Sequence, residues 1–243
     1  MCSHFEALRQ LELYLQSFEV QPPPAQGGLD MWPKYLGAFI RKPPVTDPHD
    51  EAVPEREALN GRWGLVPWAL KPANKVKQFK LSTFNARSES VAKSFTFGGA
   101  WRRGQHCIVP AAAFYEPDWR SGKSVPTRFT RADGLPLGIA GLWDVWHDPA
   151  TGPLLSFTML TIDAAQHALL SNFHRQGQEK RMIVVLQESR YAEWLDAPVS
   201  ESMDFMQAYP ADQLLATPAP PKPKAAPQAS LDGNTNHQQA DGV

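Results

Sequence analysis

A chain of 243 residues with 42% apolar and 20% charged side chains has enough material for one large core. No run of about 18 apolar residues is present to span a bilayer, and the start MCSHFEALRQ lacks the basic-then-apolar order of a secretory signal. A soluble, cytoplasmic protein is expected, and only Cys2 and Cys107 are available as thiols, which argues against a disulfide framework or a four-cysteine zinc site.

The net charge of -1 conceals a segregation, since Arg62 to Arg131 holds 13 Lys and Arg against 3 acidic residues. Interleaved with Trp63, Trp68, Phe79, Phe84, Phe95, Phe97 and Trp101, this stretch reads either as a track for a phosphate backbone with aromatic stacking platforms or as a solvated basic face over an aromatic core.

In chain order, Phe5, Leu8, Leu11, Leu15 and Phe18 recur at spacings of three and four, which predicts an amphipathic helix directly behind the N-terminus. QPPPAQGG ends it, and the residues to about Asn60 read as loops with few strands. Short β-like runs follow: HCIVP, AAFYEP, TRFTR, LGIAGLWDVW and LSFTMLTI, separated by the turn signals RSGK, ADG and DPATGP. DAAQHALLSNF predicts a helix with Asp163 as its N-cap. KRMIVVL reads as a strand and ESRYAEWLDA as a further helix. The class is α+β: one domain over residues 1–216, followed by a disordered Pro-rich tail at 217–243 that has almost no bulky apolar residue.

Several residues stand out as chemistry-bearing. Cys2 follows Met1 directly; once Met1 is removed, Cys2 carries an α-amine and a thiol on one residue. Glu116 ends an apolar run, where a carboxylate is either emerging from a strand or is retained for use. His174 sits in a loop, and Asn85 and Arg87 lie in FNARSES.

Taken together, the ordered words resemble the SOS response-associated peptidase family, also described as abasic-site processing proteins. The resemblance rests on Cys behind Met1, NARSES, HCIVPAAAFYEP and FHRQGQEKRMIVVL, the last being like the family's His-to-Arg-Met box with a short insertion. It implies a barrel-like, mainly antiparallel core with surrounding helices, and single-stranded DNA containing abasic sites as partner, met on the nucleoid at damaged DNA, without cofactor or metal. It further implies a catalytic set of Cys2, Asn85, Glu116 and His174, with His4, Trp68, Arg87 and Arg181 on DNA, in a protein expected to be a monomer. The implied chemistry is self-processing at Met1, then closure of the Cys2 amine and thiol onto the abasic aldehyde as a thiazolidine. Two rival readings stand beside it: a thiol peptidase or amidase acting on other proteins, which uses much the same residues, and a noncatalytic DNA-binding module, which leaves Cys2, Glu116 and His174 unexplained. The chain departs from the family pattern at His4, where arginine is usual, at Pro117, where tryptophan is usual, and at KYLGAFI, which lacks the family's Asn and Pro.

Overall fold

The computed structural model describes residues 2–24, 27–44 and 54–219. Its elements are β1 (Phe5–Ala7), α1 (Leu11–Phe18), β2 (Asp30–Met31), β3 (Leu36–Arg41), β4 (Glu57–Trp63), α2 (Lys75–Lys80), β5 (Asn85–Arg87), α3 (Gly98–Arg102) and β6 (His106–Asp118). After these come β7 (Val125–Arg131), β8 (Leu137–Asp148), β9 (Gly152–Asp163), β10 (Arg181–Ile183), β11 (Val185–Leu186), α4 (Tyr191–Asp196) and β12 (Leu214–Pro218).

Five strands close on themselves in the order β6, β8, β9, β4, β3 and back to β6; β4 meets β9 in parallel and the other four contacts are antiparallel. The fold is therefore α+β around a small mixed barrel. Alternation along the strands explains why HCIVP and its neighbours are apolar at nearly every position: one set of side chains fills the barrel and the other is covered by helices. Phe39, Cys107, Val109, Ile139, Phe157 and Met159 belong to the inner cluster. Their neighbours Ile40, Ile108, Ala140, Leu142 and Leu160 pack outward against Tyr14 and Phe18 of α1 and Tyr191, Trp194 and Leu195 of α4. The turn signals fall where expected, with Gly134 and Gly152 at φ of +78° and +85°, values that favour glycine.

The structure departs from expectation in four places. Phe5–Ala7 is a strand, not the first turn of a helix, because the edge of β6 takes up its backbone groups; α1 begins only at Leu11 and buries Tyr14, Ser17 and Phe18 while Leu11 and Leu15 stay exposed. The segment before Asn60 contains β2, β3 and the start of β4, with KYLGAFI supplying a barrel strand. DAAQHALLSNF forms no α-helix: Asp163 Oδ1 accepts from Ala165 N–H as an N-cap would, but His167 Nδ1 accepts from Leu169 and Leu170 N–H, donors that a helix would need, and only a short 3-10 turn at Leu170–Asn172 forms. Finally, β12 runs past the expected boundary at 216, Thr217 and Pro218 pairing with Arg128 and Thr127 of β7. The remainder of the expected tail, 220–243, lies outside the described residues.

At Gly141 of β8 an added Cβ would lie 2.5 Å from the Thr158 carbonyl oxygen and 3.0 Å from Cys107 Sγ, so the barrel wall must shift to admit it. Gly141→Ala is expected to lower unfolding stability by about 1–3 kcal/mol in urea titrations; unchanged stability would contradict this packing of β8 on β9.

Candidate functional site

β6 is the spine of the site. Its first half, His106–Ala111, pairs with β8, and its second half, Phe114–Asp118, pairs with β7. Between these, β1 lies along the other edge, with Phe5 opposite Phe114 and Ala7 opposite Ala111. Tyr115 N–H continues the ladder to the carbonyl of His4 at 3.0 Å. This pairing carries the chain's N-terminal residues alongside Tyr115 and Glu116. Phe5 is anchored in the inner cluster with its ring edge-on to Trp63 at 4.9 Å.

Cys2 is fully buried. Its Sγ donates to the His4 carbonyl at 3.3 Å, and Asn85 Nδ2 donates to the Cys2 carbonyl at 2.6 Å. Asn85 is placed by the parallel pairing of β5 with β9, and the preceding Phe84 carbonyl accepts from both Met159 N–H and Trp63 Nε1. The second amide atom, Asn85 Oδ1, is buried without a hydrogen-bond partner among the described residues, an acceptor held in reserve beside Cys2.

Glu116 and His174 are both buried, and His174 Nε2 lies 2.8 Å from Glu116 Oε2. His174 reaches this position because its N–H donates to the Pro117 carbonyl at 2.9 Å. Its backbone adopts φ of +65°, a left-handed conformation uncommon for a residue with a Cβ, and strain of this kind gathers where geometry is needed for function. Lys180 Nζ braces the same loop, donating to the carbonyls of Phe173 and His174 at 2.6 and 2.8 Å. Burial, and then the nearby Glu116 charge, push the Cys2 thiol up to about 12 from 9.0. The sulfur is therefore a neutral thiol at physiological pH. Three of the expected residues thus converge on Cys2 or on one another: the Asn85 amide on the Cys2 carbonyl, the Glu116 charge near its thiol and the His174 imidazole on Glu116.

The residues expected on DNA are distributed differently. Trp68 is 58% exposed on the loop after β4, its N–H bonded to Asp144 Oδ2 and the Arg103 guanidinium 5.3 Å over its ring. Phe95 is exposed as well. Arg87, at the end of β5, is half exposed and pairs with Glu179 at 2.5 Å. His4 is sandwiched between Trp32 and Tyr115, with centroids at 4.2 and 4.1 Å, and bonds Asp30 at 2.7 Å, so it is a clamped ring. Arg181, expected at the DNA surface, is buried: its guanidinium donates to Glu89 at 2.5 and 3.0 Å and to the Thr161 carbonyl at 2.9 Å. Trp32, Tyr115 and Glu179 were missed by sequence reasoning; Tyr115 alone carried a signal, as the residue before Glu116 in FYEP. Among the described residues no three His, Cys, Asp or Glu side chains converge as metal ligands, and no helix is long and apolar enough to cross a membrane.

Because the folded state holds the Cys2 proton more tightly than the unfolded state, its contribution to stability is full below about pH 9 and is lost as pH rises toward about 12. Cys107, also buried, has its thiol pushed in the same direction. At pH 8 a colorimetric disulfide reagent is expected to find neither thiol in the native chain and both after denaturation; a native thiol that reacts at once would contradict the burial of Cys2.

The family model of SOS response associated peptidases (SRAP) matches residues 1–222. The chain is 30% identical over 188 residues to the abasic site processing protein HMCES of Gallus gallus, a match covering 68% of this chain and 53% of that protein. It is 30% identical over 161 residues to the abasic site processing protein YoqW of Bacillus subtilis, covering 64% and 66%. The chain thus spans about half to two thirds of the length of these curated relatives. A crystal structure of a protein from Bordetella bronchiseptica shares 50% identity at a TM-score of 0.83, covering 90% of this chain and 99% of that one. A second, from Bacteroides thetaiotaomicron, is 18% identical at a TM-score of 0.71 over 88% and 90%, a likeness of fold alone. With a match that takes in every strand and the whole Cys2 site, the chain belongs to the SOS response associated peptidase family.

Proposed function

We propose that the chain processes abasic sites in single-stranded DNA, forming a covalent bond between Cys2 and the ring-opened sugar after Met1 is removed. The observation that carries this reading is the burial of Cys2 beside Asn85, Glu116 and His174, with its carbonyl fixed by Asn85. The names of the curated relatives support the same substrate.

The chemistry follows from the two nucleophiles on one residue. An abasic deoxyribose is in equilibrium with an aldehyde at C1′. The thiol is held protonated, whereas a freed α-amine has a reference pKa of roughly 8, so about a tenth of it is the neutral nucleophile near pH 7. The amine therefore attacks first, giving a carbinolamine that loses water to an imine. Sγ then adds to the imine carbon; its proton leaves and the imine nitrogen gains one, closing a five-membered thiazolidine with one water released overall. Tethering both groups to one Cα gives the second step a high effective molarity.

Glu116 supplies and accepts the protons for water loss and ring closure, and the same carboxylate serves hydrolysis of the Met1–Cys2 bond, which needs a base on the attacking water. His174, paired with Glu116, handles the sugar oxygen as the ring opens and closes. Asn85 Oδ1 accepts from the freed amine or a sugar hydroxyl. Outside the site, Arg87 meets a phosphate with its planar fork and Trp68 stacks on a base. Arg181, buried with Glu89, Glu179 and Thr161 on its terminal nitrogens, positions the neighbouring loop and leaves the phosphate to Arg87. Work on damaged DNA in the cytoplasm is part of the same proposal.

Mixing the purified chain with single-stranded DNA bearing one abasic site is expected to give a band that survives denaturing electrophoresis and is absent with intact DNA. Cys2→Ala should abolish it, while Cys2→Ser, which keeps the amine, should give an adduct only when borohydride traps the imine. Glu116→Gln and His174→Ala should each slow single-turnover crosslinking by about 10²- to 10⁴-fold. Effects below about threefold in both, or full crosslinking by Cys2→Ala, would contradict the assignment.

A further inference from the structure

The segment between His174 and β10 reads HRQGQEKR, longer than the family's box, and it brings one carboxylate to the rim of the site. Glu179 Oε2 pairs with Arg87 Nη2 at 2.5 Å, and Glu179 Oε1 lies 3.2 Å from Arg181 Nη1. Arg87 stands two residues beyond Asn85 on β5, so the cation nearest in sequence to the Cys2 clamp is covered by an acidic side chain from the loop that carries His174.

The two arginines beneath Glu179 are not equivalent. Arg181 is buried and already holds Glu89 through both terminal nitrogens, and that bond keeps the Glu89 carboxyl below its ordinary range. Arg87 is half exposed, and among the described residues Glu179 is the acidic side chain that pairs with it. A carboxylate and a phosphate compete for the same guanidinium fork. An incoming phosphodiester can take Arg87 because Glu179 keeps a second cation, Arg181, within reach.

We propose that Glu179 is a resident phosphate mimic: it occupies Arg87 in the DNA-free protein, yields that cation to a backbone phosphate while keeping the bond it already makes to Arg181, and so sets how tightly single-stranded DNA is held before chemistry. This rests on the DNA-processing reading above and deepens it by naming a residue that governs DNA engagement. The cost of exchanging one exposed ion pair for another is small, and a fixed negative charge beside the phosphate adds repulsion, so the effect is a tuning of affinity and not an on-off lock.

The test uses the full chain and a short fluorescent single-stranded DNA without an abasic site, so that only noncovalent binding is read by anisotropy. Glu179→Gln is expected to tighten binding by about three- to tenfold at low salt. The gain should shrink as salt is raised, because it is electrostatic. Glu179→Asp should stay near wild type. In an Arg87→Ala background, Glu179→Gln should have no effect, which separates competition for Arg87 from a general loss of negative charge. Wild-type affinity in Glu179→Gln, or an equal gain in the Arg87→Ala background, would overturn the proposal. Wild-type crosslinking to an abasic oligonucleotide, run in parallel, separates the two readings: its absence overturns the DNA-processing function, whereas crosslinking with an unresponsive Glu179 overturns the phosphate mimic alone.

Discussion

The site depends on a short piece of antiparallel ladder, the pairing of β1 with the middle of β6, Ala111–Phe114. Three paired residues and the bond from Tyr115 N–H to the His4 carbonyl hold an N-terminal segment that is ordinarily free to fray. Phe5, sunk among Phe114, Trp63 and the inner cluster, supplies the apolar burial that keeps that edge closed. Everything chemical is placed relative to this ladder. Glu116 is on β6 itself, His174 is tied to Pro117 of β6, and Asn85 reaches the Cys2 carbonyl from β5, which pairs with the barrel strand β9. The barrel matters to function because β6 and β9 are two of its staves, so Cys2 and Asn85 are fixed to one rigid frame.

The electrostatic setting follows from burial. A neutral thiol, a carboxylate–imidazole pair and a spare amide acceptor are all buried side chains, and proton transfers between partners fixed in this way need little solvent reorganisation. Outside, the charge count from Arg62 to Arg131 overstates the bare positive surface. Six of those thirteen basic residues pair with carboxylates: Lys75 with Asp148, Arg87 with Glu179, Arg103 with Asp144, Arg120 with Asp118, Arg128 with Glu6 and Arg131 with Asp133. Five of the six partners lie elsewhere in the chain, so the excess of acidic residues there is folded back onto the basic middle. In this fold much of that stretch is a braced surface, while Trp68 and Phe95 are exposed and Arg87 is half exposed.

What was legible in the sequence was what is local. FNARSES, FYEP and the His174 loop each carry, inside a recognisable word, a side chain that the fold brings to the Cys2 site, and the turns RSGK, ADG and DPATGP link successive strands as read. What was not legible is set by distant partners. Phe5 and Leu8 fit a helical spacing as well as a strand, and only the open edge of β6 decides between them. DAAQHALLSNF carries helix formers, yet the His167 side chain takes the backbone donors of Leu169 and Leu170. Arg181 looked like a DNA ligand by its place in a motif, but Glu89, 92 residues away, draws it inside. His4 occupies the family's arginine position, and its clamp by Trp32, Tyr115 and Asp30 involves residues from three separate segments.

The central claim is that the freed amine and thiol of Cys2 together take up the abasic aldehyde. Intact mass spectrometry of the purified chain after reaction with an abasic single-stranded oligonucleotide measures this most directly. The account predicts the mass of the chain without Met1 plus that of the oligonucleotide less one water, with peptide mapping placing the DNA on Cys2 and no free thiol there. An adduct on a chain that retains Met1, or one mapped to a lysine with the Cys2 thiol still free, would contradict it.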